Sequence, residues 1–166
     1  MASITLGGNP IHTIGELPAI GTNAPDFLLV AANLSRVSLD HFSEANLILN
    51  IFPSVDTSTC ATSVRRFNQL AANLPGVKVL CISRDLPQAQ KRFCGAEGIE
   101  NVVNLSDFDK GQFGKDYGVE MLDGRLQGLH ARAIVVLDKT HKVIYTELVP
   151  ELGNEPDYEK ALSSIR

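Results

Sequence analysis

The chain contains no tryptophan, only three cysteines, and no apolar run approaching the roughly 18–20 residues that a membrane-crossing helix needs. It also lacks lysine and arginine before Arg36. A secretory leader needs a basic start followed by an apolar stretch, so the expected location is the cytoplasm. There is no basic run: 15 Lys and Arg stand against 19 Asp and Glu, for a formal net charge of -4. Nothing here offers a phosphate backbone a positive face, and a nucleic-acid role is set aside along with a membrane role. His12, His41, His130 and His141 are scattered, and no cysteine lies two or three residues from another, which argues against a structural zinc site. Three cysteines in a reducing compartment stay reduced at rest, so any disulfide is expected to be catalytic or redox-sensing.

What is present reads as one folded domain over residues 1–166, with 44% hydrophobic and 20% charged residues. Residues 3–14 suggest a hairpin turning at Gly7-Gly8-Asn9-Pro10. Short strands are expected at Phe27–Val30 and Val37–Leu39, then a one-turn helix at Asp40–Ser43. Asn46–Phe52 and Val77–Ser83 are brief apolar runs, the mark of strands buried on both faces of a parallel sheet. Between them, Ala61, Val64, Phe67, Leu70 and Ala71 recur at spacings of three and four, predicting a helix over Thr57–Leu74. A second helix is expected at Leu86–Gly98, stopped by Gly95 and Gly98. A strand at Asn101–Leu105 and a helix from Asp107 to Tyr117 follow. Arg132–Asp138 and Lys142–Leu148 predict a hairpin around Lys139–Thr140, and Glu155–Ile165 a closing helix with Pro156 in its first turn. This order gives an α/β, thioredoxin-like fold, with a central mixed sheet flanked by helices and an N-terminal β-hairpin.

The segment Phe52-Pro53-Ser54-Val55-Asp56-Thr57-Ser58-Thr59-Cys60 starts where a buried strand ends and finishes in the first turn of a helix. The carboxyl ends of strands are where open α/β sheets bind ligands. A sulfur in a first turn also sees free backbone N–H groups and the positive end of the helix dipole, which favour the thiolate. Only about 3% of an ordinary thiol is ionised at neutral pH. Making a thiol mostly anionic takes about 3 kcal/mol of environmental stabilisation, and a helix end supplies about a third of that. Asp56 opposes it, so a cation is required from elsewhere in the chain. The competing account of Cys60 is a small packed residue, but its polar neighbours Asp56 to Thr59 are poor core material.

The segment PSVDTSTC fits the peroxiredoxin pattern Pro-x-x-x-Thr-x-x-Cys, as Pro53, Thr57 and Cys60. With the early GNP, the stretch NIFPSVDTSTCATSVRRFNQLA, the block RFCGAEG, the segment GLHARAIVVLD and the closing EPDYE, the chain resembles the bacterial thiol peroxidases, an atypical two-cysteine subfamily of the peroxiredoxins. The resemblance implies that Cys60 is the peroxidatic cysteine and that the Thr57 hydroxyl orients the thiolate and the peroxide. It also implies that Pro53 shields the sulfur and that Arg132 is the missing cation. An arginine opening the apolar run Ala133–Leu137 equally fits a strand-edge charge facing solvent. Cys94 matches the resolving cysteine; its alternative is a helix-packing residue beside Phe93. Cys81, inside an apolar strand, reads as a buried core thiol.

Such a cycle has three steps. Cys60 takes an oxygen from the peroxide, Cys94 condenses with the resulting sulfenic acid, and thioredoxin, by the same resemblance, reduces the disulfide. A disulfide needs Cα atoms within about 4.4–6.8 Å, so the ends of both helices are expected to loosen in each turnover. The resemblance also implies hydrogen peroxide and alkyl hydroperoxides as substrates, a homodimer, and neither metal nor organic cofactor. Two other functions stay open on sequence alone: a peroxide sensor or redox relay using the same cysteines, and a hydrolase pairing Cys60 with a histidine such as His130, for which no local signature exists.

Overall fold

A computed structural model of the protein describes residues 1–165. Its strands are β1 (Ser3–Leu6), β2 (Asn9–His12), β3 (Leu29–Ala31), β4 (Arg36–Val37), β5 (Asn46–Ile51), β6 (Val77–Ser83), β7 (Val102–Ser106), β8 (Ala133–Leu137) and β9 (Val143–Leu148). The helices are α1 (Ser58–Ala71), α2 (Pro87–Glu97), α3 (Gln112–Asp116) and α4 (Tyr158–Ser163), with a 3-10 turn at Leu39–Phe42. Seven strands form one mixed sheet in the order β4-β3-β7-β6-β5-β8-β9, and β1 and β2 pair as a separate antiparallel hairpin. Strands β5, β6 and β7 run parallel, whereas β8 is antiparallel to β5 and β3 to β7.

Both faces of the sheet are covered, which is why its central strands read as unbroken apolar runs. Leu47, Leu49 and Ile51 of β5 face one way, into a core with Phe27, Phe42, Phe113 and Tyr117. Ile48 faces the other way, with Val64 and Phe67 of α1, Cys94 of α2 and Ala161 and Leu162 of α4. Each fully buried Leu, Ile or Phe contributes about 1.5–3 kcal/mol of apolar transfer. The second face also takes a row of polar groups, because Asn50, Cys81 and Asn104 are cross-strand neighbours on β5, β6 and β7.

The expected elements are all present, with local corrections, the first being that Asn9 and Pro10 belong to β2 and not to the turn, and Leu39 to the 3-10 turn and not to β4. Phe27 lies outside the β3 strand and packs edge-on against Phe113, with centroids 5.9 Å apart. The helix expected from Asp107 begins only at Gln112: Gly111 takes a left-handed φ of 66°, and the buried Asp107 carboxylate accepts from the N–H groups of Phe113 and Gly114. Pro156 precedes the closing helix instead of entering its first turn, since Asp157 caps it by accepting from the Lys160 N–H. Gly95 stays inside α2, and Gly98, at φ 67°, ends it. Among the described residues, no helix is long and apolar enough to cross a membrane.

Candidate active site

Strand β5 delivers the chain at Ile51 into the loop Phe52–Thr57, and α1 begins at Ser58. Pro53 is buried at the head of this loop and Asp56 is exposed. Thr57, at φ -90° and ψ 143°, caps α1: its Oγ1 accepts from the Cys60 N–H at 3.3 Å and donates to the Ser54 carbonyl at 3.2 Å. Cys60 therefore sits in the first turn of the helix, and it is fully buried.

The cation that local sequence could not identify is Arg132, immediately before β8. Its Nη1 donates to Cys60 Sγ at 3.3 Å and its Nε to the Leu152 carbonyl at 3.0 Å. It is 2% exposed, so the solvent-facing alternative fails. At this separation a guanidinium and a thiolate attract by on the order of 5 kcal/mol at an effective dielectric near 20. Desolvating an anion costs several kcal/mol, more than the roughly 1 kcal/mol a helix end returns. Arg132 thus sets a fixed positive charge directly against the sulfur.

The loop carrying Leu152 is itself held from three sides. Thr59 Oγ1 donates to the Gly153 carbonyl at 3.0 Å, tying the loop to α1. The Glu151 carboxylate accepts from the N–H groups of Gly153 and Gly8 and from Thr5 Oγ1, each at 3.0 Å. These donors bring its pKa down to about 2. Glu151 and Leu152 are site elements that sequence reasoning missed, and an acid in a loop gives no local signal of such a role.

Cys94 is apart from this group. It is 8% exposed on α2, and Asn104 Nδ2 of β7 donates to its Sγ at 2.9 Å. Burial pushes the Cys94 thiol up, and the Asn104 hydrogen bond offsets part of the rise. Strands β7 and β8 are separated by β6 and β5, about 14 Å in all at ordinary strand spacing. Along the helices, Arg65 of α1 meets Glu97 of α2 at 2.6 Å and lies over the Phe93 ring, so Cys94 is level with the middle of α1 and not with its first turn. All three cysteines are free. The sequence-derived residues Pro53, Thr57, Cys60 and Arg132 are thus assembled at one strand end, and Cys94 is not among them.

Cys81 is fully buried, and desolvation pushes its thiol up to about 12. Asn50 Nδ2 donates to its Sγ at 3.7 Å. His130 does not serve Cys60: it is buried against Phe113, with Nε2 2.9 Å from Asp107 Oδ2.

Comparison with known proteins agrees with this geometry. The Redoxin family model matches residues 19–162. The chain is 57% identical to the thiol peroxidase of Mycobacterium bovis over 165 residues, 99% of each chain. Among solved structures, it superposes with a TM-score of 0.92 on a peroxiredoxin-like protein from Aquifex aeolicus, at 37% identity over 98% of this chain and 95% of that one. The thiol peroxidase from Chromobacterium violaceum shares the fold, with a TM-score of 0.90 at 24% identity over 97% and 93% of the two chains. With a thiol held in a first turn beside a buried guanidinium, and with these likenesses along nearly its whole length, the chain belongs to the Redoxin family as a thiol peroxidase of the peroxiredoxins.

Proposed function

We propose that this protein, as a single domain, reduces hydrogen peroxide and alkyl hydroperoxides through Cys60 and Cys94, and that thioredoxin restores it. The observation that carries the proposal is the 3.3 Å approach of Arg132 Nη1 to Cys60 Sγ at a helix start. The Cys60 thiolate attacks the terminal peroxide oxygen and the O–O bond breaks. The sulfur becomes a sulfenic acid, and the departing alkoxide takes a proton to leave as ROH, or as water from hydrogen peroxide. Arg132 stabilises the anionic sulfur and the charge that develops on the leaving oxygen. Thr57 keeps the first turn, and with it the sulfur, in register; Pro53 keeps the loop closed over it.

Cys94 then attacks the sulfenic sulfur, a disulfide forms and water leaves. Two electrons and two protons from an external dithiol, thioredoxin in this proposal, regenerate both thiols. Because the two sulfurs have separate partners, one on β7 and one just before β8, resolution requires the first turn of α1 and the body of α2 to move toward one another. The cycle suits a reducing compartment, the cytoplasm, and the family resemblance supports a homodimer.

Peroxide consumption coupled to thioredoxin, run on the wild type, Cys60→Ser and Cys94→Ser, tests the proposal. Cys60→Ser should be inactive, and Cys94→Ser should react once and then stop. Sustained thioredoxin-coupled turnover by Cys94→Ser would rule out Cys94 as the resolving thiol.

A further inference from the structure

Asp85 stands in the short link between β6 and α2, and its carboxylate joins the two halves of the proposed cycle. Its Oδ1 accepts from Ser54 Oγ at 2.6 Å, and its Oδ2 accepts from the Val55 N–H at 2.9 Å. Both donors belong to the loop that leads into the first turn holding Cys60. On the other side, Oδ2 accepts from Ser83 Oγ at 2.7 Å, and Ser83 Oγ in turn accepts from Gln90 Nε2 at 3.1 Å. Gln90 is fully buried in α2, the helix of Cys94, and also donates to the Leu105 carbonyl at 3.0 Å. The Asp85 backbone is fixed as well, since its carbonyl accepts from the Ser106 hydroxyl. A continuous polar path therefore runs from the Cys60 N–H through Thr57, the Ser54 carbonyl and Ser54 Oγ to Asp85, and on through Ser83 to α2.

Two of the carboxylate's three partners lie on the loop that leads into the first turn of α1, and hydrogen bonds to a charged acceptor are among the stronger ones a fold makes. We infer that Asp85 is a positioning residue that latches the Cys60 loop to the start of α2, and so sets how the Cys60 sulfenic acid divides between closure onto Cys94 and further oxidation. The inference rests on the two-cysteine cycle proposed above. In the first branch, the Cys60 sulfenic acid and the Cys94 thiol give a disulfide and water. In the second, a further peroxide molecule transfers an oxygen to the docked sulfenic acid, giving sulfinic acid and ROH. A firm latch speeds the first attack, which needs Arg132, and delays the opening that resolution needs. Loosening the latch moves the two steps in opposite directions, which a general loss of stability would not do.

The full-length protein with hydrogen peroxide tests this by rapid quenching and mass spectrometry of the Cys60 peptide. Wild type, Asp85→Asn and Ser54→Ala are compared, each with and without Cys94→Ser. Asp85→Asn is expected to slow Cys60 oxidation about tenfold and to lower the sulfinic fraction at matched peroxide about fivefold. Ser54→Ala, which removes one of the two loop-side bonds, should move both readouts the same way and less far. It carries the test if Asp85→Asn does not fold. A sulfinic fraction that is unchanged or raised in the Asp85 and Ser54 variants would overturn the latch. If Cys94→Ser fails to raise the sulfinic fraction of the otherwise wild-type protein, the two-cysteine cycle itself has failed; if it does raise it while Asp85→Asn changes nothing, only the latch has.

Discussion

Arg132 reaches Cys60 Sγ through Nη1 at 3.3 Å while its Nε is committed to the Leu152 carbonyl at 3.0 Å, so one guanidinium is both fixed in direction and shared with the sulfur. A lysine could supply the charge but not the two-point fixation. Arg132→Met is expected to slow Cys60 oxidation by about 100-fold or more, and Arg132→Lys by about tenfold. Rapid-quench mass spectrometry of the Cys60 sulfenic acid, trapped with dimedone, reads both rates. A rate within twofold of wild type for Arg132→Met would remove Arg132 from the chemistry.

Cys81 gives a pH prediction with a defined sign. Burial raises its thiol to about 12, against an ordinary value of 9.0, so the folded state holds this proton more firmly than the unfolded chain does. The stability this contributes is complete below about pH 9 and is lost progressively as pH rises toward 12, by about 1.4 kcal/mol per pH unit within that window. Replacing Cys81 with Ala removes this loss, so the melting temperature should fall less between pH 9 and 11 in the variant than in wild type. Fully buried and held protonated well above neutral pH, Cys81 should resist alkylation in the native protein at pH 8. Rapid labelling of Cys81 in the folded protein would contradict its assignment as an inert core thiol.

Much of the fold was legible because burial on both faces leaves a plain mark: Asn46–Phe52 and Val77–Ser83 are short apolar runs, and β5 and β6 follow them almost residue for residue. The first turn of α1 was legible too, since Thr57 and Cys60 are local to one another. Arg132 could be located only through the family resemblance. A strand-opening arginine looks the same whether it faces water or, as here, a carbonyl 20 residues further on. Asp85 and Asn104 left no trace for the same reason, because their partners Ser54, Val55 and Cys94 are distant in the chain and polar residues beside strands are common. The late start of α3 shows the limit at short range: Asp107, inside the expected helix, uses its carboxylate to bind the N–H groups of the helix's own first turn.

Asn104 should govern how Cys94 titrates before the cycle begins. Burial raises the Cys94 thiol, and the amide hydrogen bond at 2.9 Å works against that rise by favouring the thiolate. Asn104→Val keeps most of the volume and removes the donor, so Cys94 should hold its proton to still higher pH. The alkylation rate of Cys94 in the reduced protein, followed against pH, is expected to shift to the alkaline side in the variant while Cys60 labelling stays put. A shift to lower pH, or none, would mean that the amide does not act on the sulfur.

Glu151 makes the opposite case, a carboxylate whose pKa is lowered. Its pKa falls to about 2 because the N–H groups of Gly153 and Gly8 and the Thr5 hydroxyl all donate to it. The anion's contribution is therefore present above the ordinary carboxylate value of 4.5 and is lost only as pH falls toward 2. Across the neutral range the loop should stay fastened, with the Leu152 carbonyl held against Arg132 Nε. Glu151→Gln keeps the size but replaces one acceptor with a donor that faces other donors. The variant should lose about threefold or more in the rate of Cys60 oxidation, because a misaligned guanidinium stabilises the sulfur less well. Because Glu151 does not titrate between pH 6 and pH 8, the wild-type loop stays fastened across that interval. A Glu151→Gln rate equal to that of wild type would mean that some other group, not the loop carboxylate, sets the position of Arg132.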